Sequence, residues 1–266
     1  MPKVKDKKSN NHKKKSKAEA GNKKLRFYET WAFIIFFCLI LPMGFRSLFY
    51  APFHIPSGSM KPTLLIGDFI FVAKGAYGYS RYSFPLGIDL FSGRINAKQP
   101  KRGDIIVFRP PPTPGTDFIK RLIGLPGDSI QIIEGELYIN NKKVERKRIE
   151  DFVEDEPNGS VQRYKQYIET LPNGVSYRVL DDISDNPLDN TPAFFVPNRH
   201  YFFMGDNRDH SADSRTTTVG LVPEQNLIGR TEIIFFSVSD SLWKFWNWFS
   251  TMRGERFWIK PDAGIK

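Results

Sequence analysis

Three short blocks of the chain contain residue types that together could cleave an acyl bond. The first block is Ser57-Gly58-Ser59. The second is the apolar run 118–123, which contains Lys120, and the third covers residues 205–215. A serine hydroxyl becomes a nucleophile only when a neighbouring base removes its proton. The chain therefore predicts nucleophilic chemistry at Ser59, provided that the fold brings a base to it.

Lys120 can act as this base if its surroundings exclude water from its amine. A lysine with an ordinary pKa of ~10.4 is protonated at neutral pH, but burial disfavours the charged form and can lower the pKa by ~3–5 units. As a strand, the segment 118–123 puts Phe118 and Leu122 on the same face as Lys120. The alternation thus predicts a desolvated lysine that is able to accept a proton.

Histidine is the more usual base, and the chain contains four histidines: His12, His54, His200 and His210. His12 lies in a basic N-terminal tail. His54 precedes Ser59 by five residues, which in an extended segment is a separation of ~17 Å. His200 and His210 stay open on sequence grounds, so a pair of Ser59 with His210 is the alternative.

Metal and cofactor chemistry has no support in the sequence. Cys38 is the single cysteine, which excludes an intrachain disulfide and a CxxC zinc site. A calcium loop would need Asp or Asn where Arg208 stands and Gly where Ser211 stands. The HExxH, P-loop and GxSxG patterns are also absent. We therefore expect neither a metal nor a cofactor.

Positive charge is concentrated at the N-terminus. Residues 1–26 hold ten lysines and one arginine against Asp6 and Glu19, so the tail carries nine of the ten net positive charges of the chain. A solvated, basic tail is the expected state of such a run. Because nucleic-acid enzymes spread basic residues over a folded surface, we expect no nucleic-acid partner.

An apolar segment follows the tail. Every residue from Trp31 to Phe45 is apolar, Gly or Pro, and the apolar character resumes after Arg46 as far as Tyr50. A spanning helix needs ~20 residues, which is the length from Trp31 to Tyr50. We therefore predict one transmembrane helix within residues 27–50. A cleaved signal peptide is the alternative, but the residues that follow lack a small-x-small site. The positive-inside rule places the tail in the cytoplasm and the rest of the chain outside.

The rest of the chain has the pattern of a β protein. Short runs rich in β-branched and aromatic residues alternate with turn signals such as Pro126-Gly127. The predicted strands include 69–73, 105–108, 129–133, 136–139 and 230–237. Between Val144 and Pro197 the composition becomes rich in charged residues and typical of loops. We therefore expect a mainly β fold, in which antiparallel sheets form a catalytic core with an inserted smaller β domain, preceded by one N-terminal transmembrane helix.

These patterns divide the chain into six stretches. They are a basic cytoplasmic tail (1–26), a transmembrane anchor (27–50), the first half of the core (51–128), an inserted β region (129–196), the second half of the core (197–240) and an aromatic C-terminal segment (241–266). Residues 242–249 of the last stretch contain three tryptophans. Large aromatic residues either pack into a core or lie at a lipid interface, and both interpretations stay open.

Taken in order, five segments of the chain resemble those of bacterial type I signal peptidases, the Ser–Lys proteases that remove signal peptides from exported proteins. The segments are residues 46–53, 56–64, 102–108, 119–128 and 205–215, and they overlap the three blocks defined above. Each segment is moderately specific alone, whereas the five in this order are highly specific. The resemblance implies a mostly β fold whose catalytic core is interrupted by a variable second domain. Some members have two transmembrane helices, and this chain is predicted to have one.

The resemblance also implies catalytic roles. Ser59 would be the nucleophile and Lys120 the neutral general base. The Ser59 backbone N–H and the Ser57 hydroxyl would form the oxyanion hole, and Ser211 would hydrogen-bond to the Lys120 amine and orient it. The residues that would hold the loop around Ser211 are Asp213 and Arg215.

Substrate specificity is implied in the same way. Shallow pockets would admit only small residues, so that cleavage follows an Ala-x-Ala sequence. The residues that fall where the family lines these pockets are Phe53, Ile55, Pro56, Leu64, Phe118 and Ile119. An extended substrate would pair with segments 55–58 and 117–120 by β-addition. The implied partners are precursor proteins bearing signal peptides, the lipid bilayer and, by proximity, the protein translocation machinery.

The implied location is the bacterial cytoplasmic (inner) membrane, with a single-pass anchor and the catalytic domain on the outer, periplasmic side. Ser59 follows Arg46 by 13 residues, a reach of at most ~45 Å, which keeps it near the membrane surface. The alternative of a different class is an envelope adaptor that is not an enzyme, whose basic tail binds anionic lipid and whose β domain binds partners.

Overall fold

The computed structural model describes residues 30–84, 93–155, 160–239 and 248–261, so the predicted basic tail (1–26) lies outside the described residues. The protein divides into two compact units, residues 1–46 and 47–266. Residues 30–48 are helical, with a π-helical turn at Phe36–Ile40 and an α-helix at Leu41–Leu48. Among the described residues, no helix has both the length and the apolar character needed to cross a bilayer.

Residues 47–266 are built mainly from β-strands. In chain order the described strands are β1 (Tyr50–His54), β2 (Asp68–Ala73), β3 (Ile105–Phe108), β4 (Phe118–Gly124), β5 (Ser129–Ile133), β6 (Glu136–Ile139), β7 (Lys142–Lys143), β8 (Glu145–Asp155), β9 (Val161–Thr170), β10 (Ser176–Leu180), β11 (Phe194–Phe195), β12 (His200–Met204), β13 (Val222–Pro223) and β14 (Leu227–Ser237). A seven-stranded sheet has the order β1-β2-β14-β3-β4-β12-β13, and its pairings are antiparallel. The predicted mainly β, antiparallel class is confirmed.

The central strands of this sheet position the second motif block. β3 lies between β14 and β4 and is buried along its whole length. Ile105 and Val107 pack into one hydrophobic cluster, whereas Ile106 and Phe108 pack into another. Because alternate side chains of a strand point to opposite faces, a continuous apolar run is what a strand covered on both faces requires. β4, which carries Lys120, is held in register along this buried strand.

Two smaller sheets come from the region that the sequence predicts as an insertion. Their strand orders are β11-β5-β6-β7 and β10-β9-β8, and all these strands lie within residues 129–195. One hydrophobic cluster combines Ile130, Leu137 and Tyr177 of this region with Phe202 and Met204 of β12. The inserted region and the large sheet therefore share a core, and the domain boundaries given above stay predictions.

The expectation of a loop-rich stretch after Val144 is wrong for much of its length. Residues 145–155 and 161–170 form the long antiparallel strands β8 and β9. The first half of β9 is mostly exposed. A hairpin that is solvated in this way accepts charged residues in its strands, and its composition therefore resembles that of a loop.

The C-terminal segment returns to the large sheet. Arg256 donates to both carboxylate oxygens of the fully buried Asp68, from Nε to Oδ1 at 3.0 Å and from Nη2 to Oδ2 at 2.6 Å. Trp248 packs against Phe236 with ring centroids 5.5 Å apart, while Phe249 is 90% exposed. Residues 240–247, which hold two of the three tryptophans of the stretch 242–249, lie outside the described residues, so core packing and lipid contact both stay predictions.

Candidate active site

Ser59 lies in the loop that connects β1 to β2. The loop is closed by a backbone hydrogen bond from the Gly67 N–H to the Ile55 carbonyl at 3.0 Å. Met60 and Leu64 are fully buried in the core. These apolar side chains fix the loop on the sheet close to the serine, which is itself 8% exposed.

Lys120 of β4 reaches this serine. Its Nζ lies 2.7 Å from Ser59 Oγ and donates to the Ile119 carbonyl oxygen at 2.9 Å. The lysine is 3% exposed, and its amine is 5.5 Å from the centre of the Phe118 ring. The lysine is thus desolvated beside an aromatic neighbour, and it contacts the serine hydroxyl directly.

Burial changes the acid–base chemistry of this lysine. It lowers the pKa of Lys120 to about 8, against the opposing attraction of the Asp213 and Asp206 carboxylates. Near neutral pH an appreciable fraction of the amines is therefore uncharged and able to accept the Ser59 proton. A lysine with the usual pKa of ~10.4 would be almost entirely protonated there.

Two hydrogen-bond donors lie next to the serine hydroxyl. The side-chain oxygen of Ser57, an exposed residue, is 3.4 Å from Ser59 Oγ. Within the described part of the chain, the Ser59 backbone N–H donates no hydrogen bond. Both groups are accordingly available to a negatively charged oxygen that forms beside Ser59.

The third motif block packs directly against the serine. A Cβ atom at Gly205 would lie 2.5 Å from the Ser59 carbonyl oxygen and 2.2 Å from Ser211 Oγ, so only glycine fits at this position. Ser211 is buried, and its hydroxyl interacts with the Asp213 carboxylate and lowers the pKa of that group, while no hydrogen bond joins it to Lys120 among the described residues. The hydrogen bond that would join Ser211 to Lys120 therefore stays a prediction.

Asp213 and Arg215 hold the block together. Asp213 is fully buried and accepts the Gly205 N–H at 3.0 Å, and Arg215 donates to its two oxygens from Nε and Nη2, each at 2.9 Å. Burial would raise the pKa of Asp213, but the Arg215 guanidinium and the Gly205 N–H outweigh it and hold that pKa below its usual value. The carboxylate is therefore charged, and it binds both Gly205 and Arg215, the first and last residues of the segment 205–215.

Comparison with known proteins decides the family. A profile described as signal peptidase, peptidase S26, matches residues 28–236. The chain belongs to this family. Signal peptidase I of Rickettsia canadensis is 44% identical over 224 residues, and signal peptidase I of Rickettsia typhi is 43% identical over 224 residues; each alignment covers 81% of this chain and 81% of the relative. A crystal structure of a signal peptidase I from Enterococcus faecalis, 30% identical, covers 50% of this chain and 97% of that chain with a TM-score of 0.29.

The resemblance inferred from the motif blocks is thereby confirmed at the level of the family. The chain is a peptidase of the S26 class. The role of each residue in the site goes beyond family membership and rests on the geometry given above.

Two buried ion pairs that lie in and beside the segments carrying Lys120 and Ser211 were not identified from the sequence. Arg121 is fully buried and donates to both oxygens of Asp206, from Nε at 2.8 Å and from Nη2 at 2.7 Å. Arg208 is buried against Glu169 of β9, with Nη1 donating to Oε1 at 2.8 Å. The sequence feature that could have predicted a partner for Arg121 is its position in the same apolar run as Lys120, because a charge buried in such a run needs an opposite charge.

The predicted pocket residues of the S26 peptidase fall into three environments. Four pack into one hydrophobic cluster: Phe53, Ile55, Leu64 and Ile119. Phe118 packs against a second cluster, and Pro56 is exposed. Because Ile55 and Leu64 are only 2% and 0% exposed, the surface that this group presents to solvent comes from the other four residues.

His210, the alternative base, is exposed on the third motif block. Among the described residues, the side-chain hydrogen bonds of the Ser59 hydroxyl join it to Lys120 and Ser57. The group with acid–base chemistry that contacts the Ser59 hydroxyl in the described part of the chain is therefore Lys120, and not His210.

One acidic cluster has the residue types of a cation site. Single carboxylate oxygens of Asp181, Asp189 and Asp209, all half-buried, lie within 4.8 Å of one another. Arg146 already pairs with Asp181 at 2.6 Å, and Asn186 donates from its backbone N–H to Asp189 at 3.0 Å and from Nδ2 to Asp209 at 2.9 Å. Each of the three carboxylates thus has a protein donor, and we assign no metal to them.

Proposed function

We propose that the chain is a membrane-bound serine endopeptidase that removes N-terminal signal peptides from exported precursors after Ala-x-Ala-type sites. The observation that carries the proposal is the 2.7 Å contact between Ser59 Oγ and the buried Lys120 amine, in a member of the signal peptidase family. A serine next to a lysine of lowered pKa has what acyl transfer needs, a nucleophile and a base.

The reaction begins when the neutral Lys120 amine accepts the Ser59 proton as Oγ attacks the carbonyl carbon of the last signal-peptide residue. The carbonyl oxygen becomes negatively charged and accepts hydrogen bonds from the Ser59 N–H and the Ser57 hydroxyl. The lysine ammonium then protonates the leaving amine, which departs as the new N-terminus of the exported protein. The signal peptide stays esterified to Ser59 until water, deprotonated by the same lysine, attacks the ester; the lysine ammonium then returns this proton to the departing Ser59 oxygen.

Substrate binding is proposed to follow β-addition to the second motif block. β4 pairs with β3 from Phe118 onward, whereas its pairing with β12 starts only at Arg121. The edge of β4 at 118–120 that faces away from β3 is therefore not covered by β12, and an extended peptide can pair there. Small residues before the cut fit a surface formed by Phe53, Pro56, Phe118 and Ile119. Ser211, held by Asp213 and Arg215, is proposed to orient the lysine.

The proposed setting is the cytoplasmic membrane of a bacterium. The basic tail and the apolar segment 27–50 support a single anchor with the N-terminus in the cytoplasm and residues 51–266 on the outer side. The short connection to Ser59 keeps the site near the bilayer, where precursors arrive from the translocation machinery. We propose no nucleic-acid partner, no cofactor and no metal.

The test is cleavage of a secretory precursor that bears an Ala-x-Ala site, using the detergent-purified full chain and its Ser59→Ala twin. We expect one cut immediately after the second alanine, mapped by mass, and none by the twin, because the twin lacks the nucleophilic oxygen. A matched precursor with phenylalanine in place of the second alanine should remain intact. If the folded wild-type chain cuts none of several precursors, the adaptor hypothesis becomes the better one.

A further inference from the structure

Asn207 of the third motif block contacts the peptide groups on both sides of Ser59. Its backbone N–H donates to the Ser59 carbonyl at 3.1 Å, and its side-chain Nδ2 donates to the Gly58 carbonyl at 3.2 Å. The asparagine is 5% exposed. One buried residue thus binds two consecutive carbonyl oxygens of the loop that carries the nucleophile.

These contacts help to determine where the Ser59 N–H points, together with the Lys61 N–H, which also donates to the Gly58 carbonyl at 3.1 Å. In a trans peptide group the C=O and the N–H lie in one plane and point in opposite directions. The Gly58 carbonyl and the Ser59 N–H belong to the same peptide group. Holding that carbonyl toward Asn207 therefore turns the Ser59 N–H away from Asn207, and within the described chain this N–H donates no hydrogen bond.

Asn207 is itself held by the inserted region. The Leu180 N–H of β10 donates to the Asp206 carbonyl and the Arg208 N–H donates to the Leu180 carbonyl, both at 2.8 Å. The Arg208 guanidinium is buried against Glu169 of β9, whose carboxylate also accepts the Tyr177 hydroxyl at 2.8 Å. The residues on either side of Asn207 are thus fixed to two strands of the inserted region.

We infer that Asn207 is a positioning residue, whose side-chain amide orients the Gly58–Ser59 peptide group so that the Ser59 N–H faces the developing oxyanion. This inference rests on the proposed function, because it assigns a task within the same reaction. It also gives the inserted region a role, since strands β9 and β10 hold the segment that carries the asparagine. Asn207 touches neither the substrate nor the reacting atoms.

The test compares Asn207→Ala with a matched control, Asn226→Ala, in the full chain. Asn226 is also 5% exposed, and its Nδ2 also donates to a backbone carbonyl, that of Arg109 at 2.7 Å. Each variant loses one buried amide-to-carbonyl hydrogen bond, but only Asn207 contacts the serine loop. Three quantities are measured: kcat and KM on the Ala-x-Ala precursor, the inhibition constant of a peptide aldehyde ending in Ala-x-Ala, and the pH dependence of kcat/KM.

For Asn207→Ala we expect kcat to fall about 10- to 100-fold with little change in KM, somewhat less than the loss of a direct oxyanion-hole donor. The aldehyde forms a tetrahedral adduct with the serine and places an oxyanion in the same position, so its binding should weaken by a similar factor. The pH midpoint should stay where it is, because the surroundings of Lys120 are unchanged. Asn226→Ala should keep wild-type kcat and aldehyde binding.

Two results would overturn the inference: a kcat for Asn207→Ala equal to that of Asn226→Ala, or a loss of kcat without weaker aldehyde binding. If Asn207→Ala fails to fold by circular dichroism, Asn207→Leu serves instead, because leucine has a similar size, adds no charge near Lys120 and cannot donate to the Gly58 carbonyl. Failure of the proposed function is distinguishable, since it would appear as precursor cleavage by Ser59→Ala or as no cleavage by the wild-type chain.

Discussion

Replacing Lys120 by methionine should lower kcat/KM on a secretory precursor by about four orders of magnitude or more, comparable to the loss when a serine protease loses the base of its catalytic unit. Methionine has a similar length and fits the apolar surroundings of a residue that is 3% exposed, but it cannot take the Ser59 proton. Precursor cleavage by the full chain in detergent, followed by mass, measures the effect. Lys120→Arg should be equally inactive, because a guanidinium does not deprotonate in proteins.

The control for this substitution is Lys142→Met, since Lys142 is an exposed residue of β7 and should tolerate the change. His210→Ala should retain most of the activity, because the exposed imidazole has no hydrogen bond to Ser59 among the described residues. A loss with His210→Ala as deep as that with Lys120→Met would make the histidine the base.

Asp206→Ala should destabilise the protein by about 3–5 kcal/mol, the usual cost of leaving one member of a buried ion pair without its partner. Arg121 and Asp206 have side chains that are 0% and 1% exposed, and the guanidinium also lies over the Tyr177 ring at 4.2 Å. Without the carboxylate, a full positive charge stays buried in the strand that carries Lys120. Urea unfolding of the full chain, followed by tryptophan fluorescence, gives the change in the free energy of unfolding.

The matched control is Lys143→Ala, which breaks an ion pair with Glu136 whose side chains are 54% and 29% exposed. A solvated pair of this kind contributes about 0–1 kcal/mol. Equal losses of stability in Asp206→Ala and Lys143→Ala would mean that the buried pair does not support the core.

The strands and the desolvated lysine could be predicted from the sequence because both depend on local patterns. The alternation of Phe118, Lys120 and Leu122 predicts which face of the strand buries the amine, and β4 occupies Phe118–Gly124. Runs rich in β-branched and aromatic residues likewise predict β2, β3 and most of β14. In each case the signal lies within a few residues and needs no knowledge of distant contacts.

The surroundings of the site could not be predicted in the same way, because they join residues far apart in the chain. Arg121 meets Asp206 across 85 residues, and Arg208 meets Glu169 across 39 residues. No local pattern specifies such partners, although an arginine in an apolar run indicates that one is needed. The solvated hairpin of β8 and β9 was not predicted from the sequence for a different reason: its charged strands have the composition of a loop.

The most direct test of Lys120 as a neutral base for Ser59 is the pH dependence of kcat/KM for precursor cleavage, which reports the pKa values of the free enzyme. Burial lowers the pKa of Lys120 to about 8, and the base works only when it is deprotonated. Activity should therefore rise about tenfold per pH unit on the acid side and level off above a midpoint near pH 8. A rate that is flat from about pH 6 to 9, or a midpoint near the ~6.5 of an ordinary histidine, would contradict a lysine base.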